Sequence, residues 1–216
     1  FSEGVARAAS TVPAGHFVGG EARLARRIEQ SNLVFLLPGL SHTDPRRPAL
    51  RLGVEILGGG MASRLFQTAR EERGLAYAID AYHESYADCG LLGIYAGSAA
   101  DRAAELAQVC GETIRMLVTD GPTGRELDRA RAVARAGIRM ADESPVARAR
   151  RLATQSLIFG HPVSSDAMVD EVMSQTREDV QQALATCLAP GLTATAVLGP
   201  KAGLSAGLLF ERALTG

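Results

Sequence analysis

The chain has 216 residues, of which 46% are hydrophobic and 22% charged, with a formal net charge of −1. That is ordinary globular composition, and its near-neutral balance argues against a nucleic-acid or membrane-surface role, since both need a basic footprint. No apolar run approaches about 18 residues, so the sequence offers no membrane-spanning segment.

The first residues, Phe1-Ser2-Glu3-Gly4, carry neither an initiator methionine nor a signal-peptide pattern, and the sequence reads as a piece of a longer protein. Residues 1–15 are small and unpatterned, as expected of a linker or strap from a preceding domain; residues 16–216 then form one domain. A first strand is predicted over His16–Arg23, with Gly19-Gly20 marking a bulge or close backbone approach. The continuous apolar run Leu33-Val34-Phe35-Leu36-Leu37, stopped by Pro38-Gly39, predicts a strand buried on both faces. Asp44 is placed to cap a helix with Pro45 at its first position, and that helix runs to the Gly58-Gly59-Gly60 break.

Ser63 to Arg73 is built of helix formers, with Leu65, Phe66 and Ala69 as an apolar stripe and Gly74 as the stop. Leu75 to Tyr86 then alternates, placing Tyr77, Ile79, Ala81 and His83 on one face of a strand. A turn at Asp88-Cys89-Gly90 leads to a returning strand over Leu91–Gly97. Ser98 is expected to cap a long helix through Leu117, and a second long helix runs from about Gly124 to Asp142. Ser144-Pro145 begins a third helix ending near Phe159, with Arg148, Arg150 and Arg151 read as an exposed face. Shorter helices follow at Ser165–Met173 and, capped by Thr176, at Arg177–Cys187. A last strand over Thr193–Leu198 and a terminal helix over Leu204–Leu214 complete the order. Hairpin pairing within a run of helices predicts an α+β domain, one largely antiparallel sheet with helices packed on one face.

The chain displays no complete active site of its own. His16, His42, His83 and His161 form neither H-E-x-x-H nor H-x-x-E-H. The glycine triplet is not a phosphate-binding fingerprint and lacks the lysine of a phosphate loop. Cys89, Cys110 and Cys187 are odd in number, without a C-x-x-C pair or a nearby histidine; buried thiols of a reduced, cytoplasmic protein are the simplest reading. Two side chains stand out. Arg70 borders the apolar stripe four residues after Phe66, and Tyr77 lies just beyond the glycine stop. An arginine in such a place is ordinarily a snorkelling side chain or a salt-bridge partner. The alternative is a guanidinium and a phenol aimed together at a ligand carbonyl or carboxylate. Spacing does not choose between Arg70 and Arg73.

The segments Gly58-Gly59-Gly60-Met61-Ala62-Ser63-Arg64-Leu65-Phe66, Arg70-Glu71-Glu72-Arg73-Gly74-Leu75-Ala76-Tyr77 and Tyr86-Ala87-Asp88-Cys89-Gly90-Leu91 resemble the second domain of the mitochondrial-processing-peptidase and insulinase (pitrilysin) family of zinc peptidases. Gly19-Gly20-Glu21, Asp44-Pro45, Tyr95-Ala96-Gly97, Glu143-Ser144-Pro145 and Leu198-Gly199-Pro200 extend the likeness in order, from about residue 16 to residue 200. The resemblance implies two homologous domains facing each other across a closed chamber. The zinc and its H-x-x-E-H site sit in the N-terminal domain, which is missing here, and this chain supplies no metal ligand. It implies that Arg70 and Tyr77, seven apart, are the arginine and tyrosine lent to the partner's active site, and so it selects Arg70 over Arg73. The implied partners are an N-terminal zinc-binding domain or subunit and an extended peptide substrate, with a homodimer left open. The rival within the family is a non-catalytic subunit or scaffold that binds or guides peptides. An independent small-molecule enzyme or binding domain is the rival outside it.

Overall fold

The computed structural model describes residues 15–216, so the strap expected over residues 1–15 lies, but for Gly15, outside the described residues. Five strands, β1 (Gly20–Ala25), β2 (Gln30–Gly39), β3 (Ala78–Ser85), β4 (Gly90–Ala99) and β5 (Ala194–Gly199), form one sheet in the order β1-β5-β2-β4-β3. Only β1 and β5 run parallel; the other neighbours are antiparallel, as the hairpin pattern predicts. Seven α-helices, α1 (Arg47–Gly58), α2 (Ala103–Asp120), α3 (Gly124–Glu143), α4 (Pro145–Phe159), α5 (Ser165–Ser174), α6 (Arg177–Leu188) and α7 (Ala206–Thr215), complete the α+β fold.

Alternation decides which sheet face is covered. Leu33, Phe35 and Leu37 of β2 are buried while Val34 and Leu36 are half-buried, so β2 is not covered on both faces as its apolar run suggests. The register carries the division across the sheet. Phe35 lies opposite Thr195 and Ile94, and Ile94 opposite Ala81, all on the helix side. Val34, Ala196, Tyr95 and Asp80 form a row on the other, open face. At the core's centre Phe35 stacks on Phe210 of α7, with ring centroids 4.2 Å apart and planes 5° off parallel. That stacking joins the sheet to α7.

Several local expectations change. Ser98 caps no helix: it is a fully buried residue of β4, opposite Ser31 of β2, and α2 begins only at Ala103. The ladder continues past Gly97 because Ser98 is small enough to face the crowded inner layer. Asp44 does not cap α1, which starts at Arg47 with Pro48 in its first turn. Its carboxylate instead accepts Arg46 N–H at 2.9 Å and pairs with the Arg46 guanidinium at 2.7 Å, closing the turn before the helix. Arg151 is drawn in from the exposed face and binds Asp142 and Ser165. Thr176 and Ser144 cap α6 and α4 as their sequences predict.

Gly58 shows what the glycine triplet does. A Cβ there would sit 2.5 Å from both the amide nitrogen and the Cβ of Ala81, so only glycine lets the end of α1 lie against β3.

Candidate active-site contribution: Arg70 and Tyr77

The stretch from Phe66 to Glu72 is a π-helix, where its helix formers predict an α-helix. The turns are wider, with i→i+5 bonding, and such segments are frequent at functional sites. Leu65 and Ala69 are fully buried and fix one side of it to the core, while Arg70 is exposed. The guanidinium carbon of Arg70 lies 4.8 Å from the centre of the Phe66 ring, a cation–π arrangement. Among the described residues Arg70 forms no ion pair, whereas Arg73 lies 3.8 Å from Glu105. The salt-bridge explanation therefore suits Arg73 and leaves Arg70 with the stacking contact alone.

The π-helix stops at Gly74, whose φ of +59° is left-handed and strained for any residue with a Cβ. The chain then turns back on itself. The Ala69 carbonyl accepts both Leu75 N–H, at 2.7 Å, and Ala76 N–H, at 3.3 Å. Arg70 directly follows the acceptor Ala69 and Tyr77 directly follows the donor Ala76, so both adjoin this clasp in the chain, Arg70 just inside the closed loop and Tyr77 just outside it. Leu75 and Ala76 are buried, and β3 begins only at Ala78. Tyr77, which alternation places on one strand face with Ile79 and Ala81, is 58% exposed, while those two residues are buried. Its N–H donates to Gly97 O at 2.8 Å, which anchors it to β4.

Two further groups hold this junction. Arg64, just before the π-helix, gives Nε to Glu126 Oε1 at 2.7 Å and Nη2 to Oε2 at 2.9 Å, and Nη2 also reaches Gly121 O at 3.0 Å. Glu126 simultaneously closes a capping box with Thr123 at the start of α3. With the Arg64 guanidinium as the largest influence, the carboxyl of Glu126 is held down at about 2. Thr123-x-x-Glu126 is a readable capping signature, but nothing in sequence indicates that Arg64 would join it.

The described residues contain no group of three or more His, Cys, Asp or Glu side chains arranged to hold a metal ion. The buried thiols are poor nucleophiles, because burial pushes Cys110 and Cys187 up to about 12. What the junction offers is a permanently charged fork and a phenol, both facing water, both capable of donating to an oxygen.

Comparison with known proteins gives this geometry a family. Residues 9–133 match the family described as peptidase M16 inactive domain. Over 177 residues the chain is 34% identical to an uncharacterized zinc protease of Streptomyces coelicolor, covering 82% of this chain and 38% of that protein. Over 155 residues it is 33% identical to an uncharacterized zinc protease of Bacillus subtilis, covering 72% and 38%. The chain thus spans about two fifths of the length of these curated relatives. Its fold is similar to the peptidase M16 inactive domain from Pseudomonas fluorescens, with a TM-score of 0.74 and 22% identity over 84% of this chain and 43% of that one. No helix among the described residues is long and apolar enough to cross a membrane. The order of its motifs, its five-stranded sheet and the family match agree: the chain belongs to the peptidase M16 family, as its inactive, C-terminal domain.

Proposed function

We propose that this domain is the C-terminal half of a zinc metalloendopeptidase that encloses and cleaves extended peptides, with the zinc in an N-terminal domain or subunit. In this reading Arg70 and Tyr77 reach into the partner's active site. The observation that supports it most is the pair itself: two exposed donors, each next in the chain to a residue of the Ala69 clasp, with no ion pair on Arg70 among the described residues. The partner's zinc supplies an activated water and polarises the scissile carbonyl. The residues of this chain bind and orient. The Arg70 guanidinium and the Tyr77 hydroxyl donate hydrogen bonds to substrate carbonyls or to the oxygen on which negative charge develops. Such donors act most strongly where water is excluded. The open sheet face, with Val34 and Leu36 half-buried, forms the wall against which the peptide lies. Three free cysteines suit a reducing, cytoplasmic setting.

The test is turnover of a quenched peptide by the complete enzyme. Arg70→Ala and Tyr77→Phe should each lower kcat by about two orders of magnitude with zinc content unchanged. Unchanged turnover in both variants would remove the assigned role.

One contact favours a second reading. The stacking of Arg70 on Phe66 also suits a packing arginine in a non-catalytic, peptide-guiding subunit. Arg70→Ala would then lower thermal stability while leaving peptide cleavage by the assembled enzyme intact.

A further inference from the structure

On the helical side of the domain, away from the open sheet face, a cavity of about 480 Å³ lies between the start of α1 and the end of α4 with the first turns of α5. Its polar lining sets the donors Arg47 and Gln155 beside two carboxylates, Asp44, which is already paired with Arg46, and the exposed Glu171. Arg47 is half-buried, its Nε donates to Ser85 Oγ at 3.2 Å, and among the described residues it has no carboxylate within 4.0 Å. Gln155 is 7% exposed, its Oε1 accepts Val163 N–H at 3.0 Å, and among the described residues the only partner of its Nε2 is the Met168 thioether at 3.3 Å. A thioether is a weak acceptor, so this buried amide donor is poorly satisfied. His42 and His161 add ring nitrogens, while Pro48, Phe159 and Met168 supply apolar wall.

We propose that this cavity binds a ligand with an apolar body and a single carboxylate, held by the Arg47 guanidinium and the Gln155 amide. A planar carboxylate matches the arginine fork in geometry and charge. The lining carries one guanidinium, Arg47, against the carboxylates of Asp44, paired with Arg46, and Glu171, so a second negative charge on the ligand is opposed and a dianionic phosphate is disfavoured. Burial lowers the Arg47 guanidinium, with the Arg51 charge adding to this and Glu171 partly opposing it, as expected of a cation awaiting a partner. The carboxylate is either that of a small free acid or the end of a peptide chain. The proposal does not depend on the peptidase role.

Calorimetric titration of the purified protein with N-acetyl-phenylalanine and its amide tests it. The acid should bind at least about tenfold more tightly than the amide. A hexapeptide ending in phenylalanine separates the sources: binding with a free terminus and not with an amidated one identifies a chain end, and failure beside a binding small acid identifies a free acid. Arg47→Met should weaken the acid about tenfold, and Glu171→Gln should tighten it severalfold. The second variant decides the matter if the first fails to fold, because a gain in affinity does not come from unfolding. Equal binding of acid and amide, binding of neither, or an unchanged affinity in Glu171→Gln would overturn the proposal.

Discussion

Replacing Glu126 by glutamine removes one charge from the tie between the π-helix junction and α3. The carboxylate accepts four hydrogen bonds, from Arg64 Nε and Nη2 and from Thr123 N and Oγ1, at 2.7 to 2.9 Å. Its carboxyl falls from an ordinary 4.5 to about 2 on folding. At about 1.4 kcal/mol per pH unit that sets a ceiling of roughly 3 kcal/mol. The Arg64 and Glu126 side chains retain 21% and 17% exposure, so solvent screening reduces the expected contribution to about 2 kcal/mol. Because the folded value lies below the unfolded one, this stabilisation is complete above about pH 4.5 and is lost as the pH falls towards 2. Urea unfolding of the native protein and Glu126→Gln at pH 7 and at pH 3 measures it. The variant should be about 2 kcal/mol less stable at pH 7, with the gap narrowing at pH 3. A gap below about 0.5 kcal/mol at pH 7, or one independent of pH, would refute the reasoning.

Phe210→Ala should cost about 3–5 kcal/mol in the same assay, since it empties one half of the central ring stack; a loss under 1 kcal/mol would show that the core refills. Gly58→Ala should destabilise by about 1–3 kcal/mol through collision with Ala81, a backbone contact that side-chain rotation does not relieve. In native protein a thiol reagent should modify Cys89 and leave Cys110 and Cys187 untouched until unfolding, and three equally fast thiols would contradict their burial.

The parts of this fold that repeat a period were legible in sequence, and the parts set by a single contact were not. The β3–β4 hairpin, α3 and the Thr176 and Ser144 caps follow from alternation, helical spacing and local capping chemistry. Ser98 was misread because serine after a strand suits a helix cap as well as a tight place in a sheet; only the opposing Ser31 decides. The π-helix was hidden because composition reports helical preference without reporting whether a turn closes at i+4 or i+5. For the same reason Arg70 and Tyr77 were separable from their neighbours only by family resemblance. The double acceptance at Ala69 that both residues adjoin is a local turn that no periodicity announces, and the loose pairing of Arg73 with Glu105 is a tertiary contact.

The parallel pairing of β1 with β5 has a consequence for how the chain is made. Among the described residues β1 lies at the sheet edge and has no other strand neighbour; its Gly20 meets Ala194, nearly the full length of the domain later. During synthesis the hairpin and α1 have local partners early, but β1 finds its place only after β5 has emerged. Closing so distant a pairing is slow, and until then the flank of β2 that later receives β5 is bare. Truncation just before β5 would therefore remove that strand and leave β1 without its partner.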